Sequence, residues 1–219
     1  PVRTGYSAIA DEWVPIKPGT DGALLLAIIH EIIKLGLFDR DFLVQYTNSA
    51  QLVNQDEAST EFGMFVRFEV PPEEGCFDPQ NKLWWDRNLD KPISTHTEGA
   101  DPYLLGEFHW EDGTPMKPAF QLLKERVEEY TPEWAEKITG IDAETIRRLA
   151  HAMGVTARDQ QSELPRQWTD SWDKDQESIP GNPVSVHAMR GLAAHSNGFQ
   201  TMRARVFLMT LLGTIDRPG

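Results

Sequence analysis

The stretch Pro18-Gly19-Thr20-Asp21-Gly22-Ala23-Leu24-Leu25-Leu26-Ala27-Ile28-Ile29 decides the fold class, because it joins a turn, a helix start and an apolar helix in one run. Pro18 and Gly19 punctuate the chain, and Thr20 or Asp21 can accept a hydrogen bond from the free N–H groups of a first helical turn. The apolar run continues to Leu35, and Gly36 ends it as a residue able to take positive φ. A helix apolar on nearly every side is expected to be deeply buried. Upstream, residues 6–17 carry short apolar pieces suited to extended chain. Downstream, Asp39 is placed to cap a short second helix through Phe42 and Tyr46.

Further out, the regular pattern dissolves between about Ser49 and Pro118 into Pro71-Pro72-Glu73-Glu74-Gly75, Trp84-Trp85-Asp86 and His109-Trp110-Glu111-Asp112-Gly113. These read as turns, short strands and irregular chain that packs on something else. Helical periodicity resumes at Phe120, Leu123 and Val127. Thr131-Pro132-Glu133 reads as N-cap, N1 and acidic first turn of a helix closed by Thr139-Gly140. Asp142 caps the next helix, with Ile146, Leu149, Ala150 and Met153 on one face, Arg147 and Arg148 turned outward, and Gly154 as a stop. A polar loop through Trp168, Trp172 and Pro180-Gly181-Asn182 leads to 183–189, the best strand candidate, and a last helix runs from about Gln200 to Leu212 and Gly213.

Strands alternating with helices predict an α/β fold with a partial parallel sheet covered on both faces. Such sheets bind ligands at loops beyond the carboxyl ends of their strands. Two loops hold that position, Pro18 to Asp21 and Gly191 to Gln200. The expected organisation is a first α/β part at 1–50, an irregular Trp-rich insertion at 51–117, and the remainder of the α/β domain at 118–219.

Composition narrows the function classes. Acidic residues outnumber basic ones 34 to 21, so electrostatics oppose binding a nucleic-acid backbone. The longest apolar stretch, 23–29, falls far short of the ~20 residues a membrane span needs, so no direct membrane insertion is expected. A lone Cys76 excludes an internal disulfide and a multi-cysteine metal or cluster site within these residues, and it reads as a bystander. His30 reads as a satisfied core or boundary histidine. His96, His109, His151 and His187 lack metal-ligand spacing, so no metal site is expected. The chain opens on Pro1-Val2-Arg3 and stops at Asp216-Arg217-Pro218-Gly219 with no initiator Met, which predicts an internal piece of a longer protein.

Chemistry concentrates in the two loops. Gly19 allows close backbone approach, Thr20 offers a hydroxyl, and the Asp21 carboxylate can accept two parallel hydrogen bonds from a guanine edge. On spacing alone, Thr20 and Asp21 read first as plain helix caps. The second loop carries His195, Ser196, Asn197 and Gln200, and exposed N–H groups and amides ahead of a helix can hold anionic or pterin-like atoms. It reads also as an ordinary strand–helix connection.

Three stretches together resemble the dimethyl sulfoxide reductase family of molybdopterin oxidoreductases. They are Ala10-Asp11 through Pro18-Gly19-Thr20-Asp21-Gly22-Ala23-Leu24 with Leu37-Phe38-Asp39-Arg40-Asp41-Phe42; Tyr130-Thr131-Pro132-Glu133 through Ile138-Thr139-Gly140-Ile141 with Glu144-Thr145-Ile146-Arg147-Arg148-Leu149-Ala150; and Asn197-Gly198-Phe199-Gln200 through Leu212-Gly213-Thr214-Ile215-Asp216-Arg217-Pro218-Gly219. Two further stretches, 84–93 and 187–198, look most like catalytic subunits of sulfite-oxidising and polysulfide or thiosulfate reductase-like enzymes.

The resemblance implies a Rossmann-like nucleotide-binding sandwich and a bis(molybdopterin guanine dinucleotide) cofactor carrying molybdenum. It implies that Asp21 contacts a guanine, that Pro18, Gly19 and Thr20 shape its loop, and that Asn197, Gly198, Phe199 and Gln200 approach the pterin side. It also implies a 4Fe-4S cluster and the metal ligand upstream of Pro1, and partner subunits for electron transfer and membrane anchoring. The expected compartment is cytoplasmic or periplasmic, with the cytoplasm favoured. An inorganic sulfur compound is the expected substrate, with a formate dehydrogenase or nitrate reductase-like enzyme as the alternative. A non-catalytic nucleotide-binding or interaction module is the reading from another class. Cofactors carry the redox chemistry, so this piece alone is not expected to be active.

Overall fold

Apolar periodicity and its punctuation divide the chain into helices α1 (Asp21–Lys34), α2 (Arg40–Tyr46), α3 (Ala119–Val127), α4 (Pro132–Thr139), α5 (Ala143–Asp159) and α6 (Gly198–Leu211). The computed structural model describes residues 2–67, 82–95, 97–170 and 173–217. The readings made above for Cys76, His96, Trp172, the Pro71 to Gly75 run and Pro218-Gly219 lie outside the described residues. Two compact units are formed, one from Pro1–Asp39 with Val127–Gly219 and the other from Arg40–Arg126.

In the first unit α1 is central and packs against α4, α5 and α6. Ile29 and Ile32 are fully buried, each contributing roughly 1.5–3 kcal/mol on removal from water. Burial is confined to the helix's second half, from Ala27 on; residues 22–26 are only half-buried. That is less than an all-round apolar helix predicts, and it leaves Leu24 and Leu25 partly open. His30 Nδ1 donates to the Val127 carbonyl at 2.9 Å, as a satisfied boundary histidine should.

Helices α1 and α6 run side by side in the same direction. At their starts, Gly22 faces Thr201; at their ends, the Asp39 amide donates to the Leu211 carbonyl at 2.7 Å. Both close in the same way, through left-handed Gly36 and Gly213. The next amides, of Leu37 and Thr214, reach back to the carbonyls of Ile32 and Met209. Asn182, fully buried, donates its amide toward Asp39 Oδ2 (3.1 Å) and the carbonyls of Leu212 (2.9 Å) and Gly213 (3.0 Å). Arg217 also reaches Asp39 Oδ2, at 3.3 Å. The carbonyls left over at the end of α6 thus find partners without water.

Helix α5 does not stop at Gly154. It continues to Asp159, and a Cβ at Gly154 would stand 2.7 Å from Cβ of Leu37. The glycine is there to admit Leu37, a packing role that breaker chemistry does not anticipate.

In the second unit the strands are β1 (Leu52–Asn54), β2 (Leu83–Asp86), β3 (Lys91–Ser94), β4 (Phe108–His109) and β5 (Pro115–Pro118). They form an antiparallel sheet in the order β1-β5-β4 and a β2-β3 hairpin. Leu52, Leu83 and Met116 make its core, with Trp85 and Trp110 packed against it, and Trp85 stacks on Phe108 at 4.7 Å. These two tryptophans therefore bury against the unit's own core. Asp86 accepts from the amides of Asn88, Leu89 and Asp101 at 2.8–2.9 Å, and the Asp101 amide above all holds its carboxyl below the usual carboxylate range.

The mixed α/β class holds, but the expected parallel sheet does not form among the described residues. Every strand pairing among them is antiparallel, including β6 (Ser162–Leu164) with β9 (Ile179–Gly181) and β7 (Trp168–Thr169) with β8 (Asp175–Gln176). The latter two pairs occupy what the sequence reads as a polar loop. The strand expected at 183–189 has no ladder partner among the described residues. The Val186 carbonyl is taken instead by Arg205, whose Nε and Nη2 lie 3.2 and 2.6 Å away.

Candidate functional site

Pro18 and Gly19 are the central residues of a tight turn between Lys17 and Thr20. The Thr20 amide and hydroxyl both donate to the Lys17 carbonyl, at 3.2 and 2.6 Å. Gly19 has φ +79°, the value the third position of a type II turn demands. The Lys17 amide donates to the Thr139 carbonyl at 3.0 Å, so the last turn of α4 holds the base of this loop. Thr20 precedes α1, yet its side chain makes no cap bond, being engaged backward with Lys17. Asp21 opens the helix, half-buried.

The second loop begins with a 3-10 turn at Arg190–Ala193 and passes His195 into Asn197. Helix α6 begins at Gly198, two residues earlier than periodicity suggests, so Gly198, Phe199 and Gln200 form its first turn. Gly198 is buried, and a Cβ there would stand 2.1 Å from the Ala193 carbonyl oxygen. Phe199 is 74% exposed, with the Arg203 guanidinium 5.9 Å from its ring centroid. Gln200 Oε1 accepts from Arg203 at 3.1 Å. Asn197, like Thr20, makes no cap bond to its own helix.

The two loops meet. Asn197 Nδ2 donates to the Gly19 carbonyl at 3.2 Å, and the His195 ring sits where a Cβ on Gly19 would be only 3.2 Å from Nδ1. Residues 178 positions apart are thereby joined at the starts of two parallel helices. Of the first-turn N–H groups, those of Ala23 and Gly198 donate to the Thr20 and His195 carbonyls at 3.0 and 2.9 Å; the others have no partner inside their helix, and both helix dipoles present their positive ends here. The arrangement can receive an anionic group from two sides at once.

Beside this junction lies a cleft of about 300 Å³. Its walls include Asp21, Leu24 and Leu25 of α1, His187 and Met189 of the preceding segment, and Arg205 of α6. Of the residues read from sequence, Asp21 lines the cleft, Gly19 and Asn197 make the junction, and Pro18, Thr20 and Gly198 shape the two turns. Phe199 and Gln200 lie on the exposed side of α6. Sequence reasoning passed over Arg205 and gave His187 an incidental role. The available signal was an arginine four residues after Thr201, set in the apolar run that ends α6.

Among the described residues, no group of three or more His, Cys, Asp or Glu side chains is placed to hold a metal ion, and no helix is long and apolar enough to cross a membrane.

No family model matches the chain. Over 219 residues it is 71% identical to a sulfite dehydrogenase polypeptide of Allochromatium vinosum, covering 100% of this chain and 23% of that protein. It is 33% identical over 168 residues to the alpha chain of perchlorate reductase from Dechloromonas aromatica, covering 64% of this chain and 18% of that protein. It is 24% identical over 215 residues to the formate dehydrogenase major subunit of Haemophilus influenzae, covering 97% and 17%. The chain thus spans less than a quarter of the length of each of these relatives.

Proposed function

This chain belongs to the dimethyl sulfoxide reductase family of molybdopterin oxidoreductases, and from that premise we propose that it cradles the nucleotide arm of the molybdenum cofactor in a sulfite-oxidising catalytic subunit. The observation that carries this is the junction of Gly19 with Asn197 at two open helix starts, with Asp21 in the cleft alongside. The donor set fits such a group. First-turn amides of α1 and α6 suit a diphosphate, Asp21 suits the N–H edge of a guanine, and left-handed Gly19 lets the loop backbone close over it.

In this reading the cofactor is the guanine dinucleotide form. Pro18, Gly19 and Thr20 hold the guanine-side loop, while Asn197, Gly198, Phe199 and Gln200 form the pterin-side turn. When bound, the cofactor supplies oxygen-atom or electron transfer. This chain's residues bind and orient it.

The remaining parts of the proposal rest on the longer relatives. The segment at 183–189 is a strand of a parallel, Rossmann-like sheet completed by chain outside these residues, and the division into 1–50, 51–117 and 118–219 separates cofactor-binding parts from an insertion. An iron–sulfur cluster lies in an upstream region, and the complex is completed by partner subunits for electron transfer and membrane anchoring. Sulfite is favoured over formate because identity to the sulfite dehydrogenase relative is 71%, against 24% to the formate dehydrogenase.

The test uses the full-length subunit. Sulfite, thiosulfate and formate are assayed separately, and molybdenum and released GMP are measured in wild type and Asp21→Ala. Sulfite turnover, with Asp21→Ala losing cofactor while its melting temperature stays near wild type, is the expected result. Turnover of formate alone rejects the substrate, and unchanged cofactor content in Asp21→Ala rejects the cradle.

A further inference from the structure

The cleft beside Asp21 holds a second charged side chain. Arg205 lies on α6 between buried Ala204 and Leu208, at the border of the stripe that packs on α1. An arginine held half-buried loses rotamer freedom and partial hydration, so its directed position needs a partner. Two of its five N–H groups donate to the Val186 carbonyl, at 3.2 and 2.6 Å, which fixes the plane of the guanidinium. The other N–H groups have no partner among the described residues. Arg205 and Asp21 line the same cleft, and no ion pair joins them among the described residues.

A ligand between them must present hydrogen-bond donors to Asp21 and acceptors to Arg205. A bare phosphate fails, because its negative charge is repelled by the carboxylate and it offers no apolar face to the cleft. Leu24, Leu25 and Met189 favour a flat apolar face over a polyol. A guanine meets all three conditions: N1–H and the 2-amino group serve the carboxylate, and O6 and N7 serve a guanidinium, the commonest arginine–base match. An adenine carries an amine where O6 stands and no N1–H.

We propose that Arg205 is a specificity-determining residue that reads the O6/N7 edge of the purine whose opposite edge Asp21 holds. This rests on the reading of Asp21 as a guanine contact, and the experiment separates the two. The full-length subunit is prepared without cofactor, its folding is checked by circular dichroism, and binding of GMP, AMP, IMP and 7-deaza-GMP is measured by calorimetry. IMP lacks the 2-amino group that Asp21 reads; 7-deaza-GMP lacks the N7 that Arg205 reads.

Wild type should favour GMP over 7-deaza-GMP by about tenfold. Arg205→Met keeps the apolar stem and should lose that preference to within about twofold, while still discriminating against IMP. Arg205→Lys should behave like Arg205→Met, because an ammonium cannot bond two acceptors with a planar fork. Equal weakening toward all four nucleotides, or an intact 7-deaza penalty in Arg205→Met, would mean that Arg205 only ties Val186 to α6, and would overturn the proposal. Failure of the folded wild type to bind GMP at all would overturn the guanine reading of Asp21, and this inference with it.

Discussion

Four helices of the larger unit begin with residues that favour N-caps, and they use them in two different ways. Thr131 and Asp142, ahead of α4 and α5, take extended backbone (ψ 160° and 146°) and accept from the amides of Trp134 and Thr145. Thr20 and Asn197, ahead of α1 and α6, sit near ψ 10° and 8° and make no cap bond. A cap needs extended backbone for its oxygen to reach forward to the N2 or N3 amide. At Thr20 and Asn197 the preceding turns deny that geometry, and each side chain bonds an upstream or neighbouring carbonyl instead. The uncapped pair are the two helices that converge. The difference separates helix starts closed by their own caps from helix starts that, in the proposed function, are left for a ligand.

The hardest way to break the open pair is at Gly198. A Cβ there meets the backbone oxygen of Ala193 at 2.1 Å, which no side-chain rotation relieves. Gly198→Ala should cost about 1–3 kcal/mol and abolish cofactor retention by shifting the loop or unwinding the first turn of α6. Gly191→Ala, with nothing within 4 Å of its Cβ, is the control and should retain cofactor. Urea unfolding and molybdenum per full-length subunit check both; retention in Gly198→Ala would show that the convergence is not needed.

A sharper separation comes from one substitution in each class. Thr131→Ala removes a cap and should cost about 1 kcal/mol of stability while leaving cofactor content unchanged. Asn197→Ala removes an exposed hydrogen bond and should cost about 0.5 kcal/mol or less, yet it should lower cofactor content because the Gly19 loop is released. The same two measurements apply. If both variants lose stability alike and neither loses cofactor, the two kinds of helix start are the same.

The capped starts were legible in sequence because caps and left-handed glycines are decided by neighbouring residues: Thr131-Pro132, Asp142, Gly36, Gly140 and Gly213 act as their chemistry suggests. The positions of Asp21 and Asn197 were legible as candidates. That Thr20 and Asn197 would decline to cap was not, because this depends on a turn at Gly19 and on a contact 178 residues away. Gly154 misled for the same reason, since its partner Leu37 is distant in sequence. The parallel sheet was not legible among the described residues, because alternation of strand and helix reports order along the chain, whereas pairing depends on which strands meet. Arg205 was missed because its role appears only once α6 lies beside Asp21 and the 183–189 segment.

The smallest expected effect separates the two classes by pH. The Asp142 carboxyl is held below its ordinary value of 3.8, chiefly by the Thr145 amide and then by the Thr145 hydroxyl. A carboxyl depressed by folding contributes stability that is fully present above the unfolded value and is lost as pH falls through the folded one. Acidification below about pH 4 should therefore loosen the start of α5 first through Asp142. Neither Thr20 nor Asn197 carries a group that titrates there. Hydrogen exchange of peptides from the full-length subunit, corrected for intrinsic rates, reads this locally. Protection at the start of α5 should fall with acid more steeply in wild type than in Asp142→Asn, which keeps an accepting oxygen but cannot be protonated in this range. Identical profiles would mean that the charge on Asp142 adds nothing to its cap, and that the capped starts rest on hydrogen-bond geometry alone.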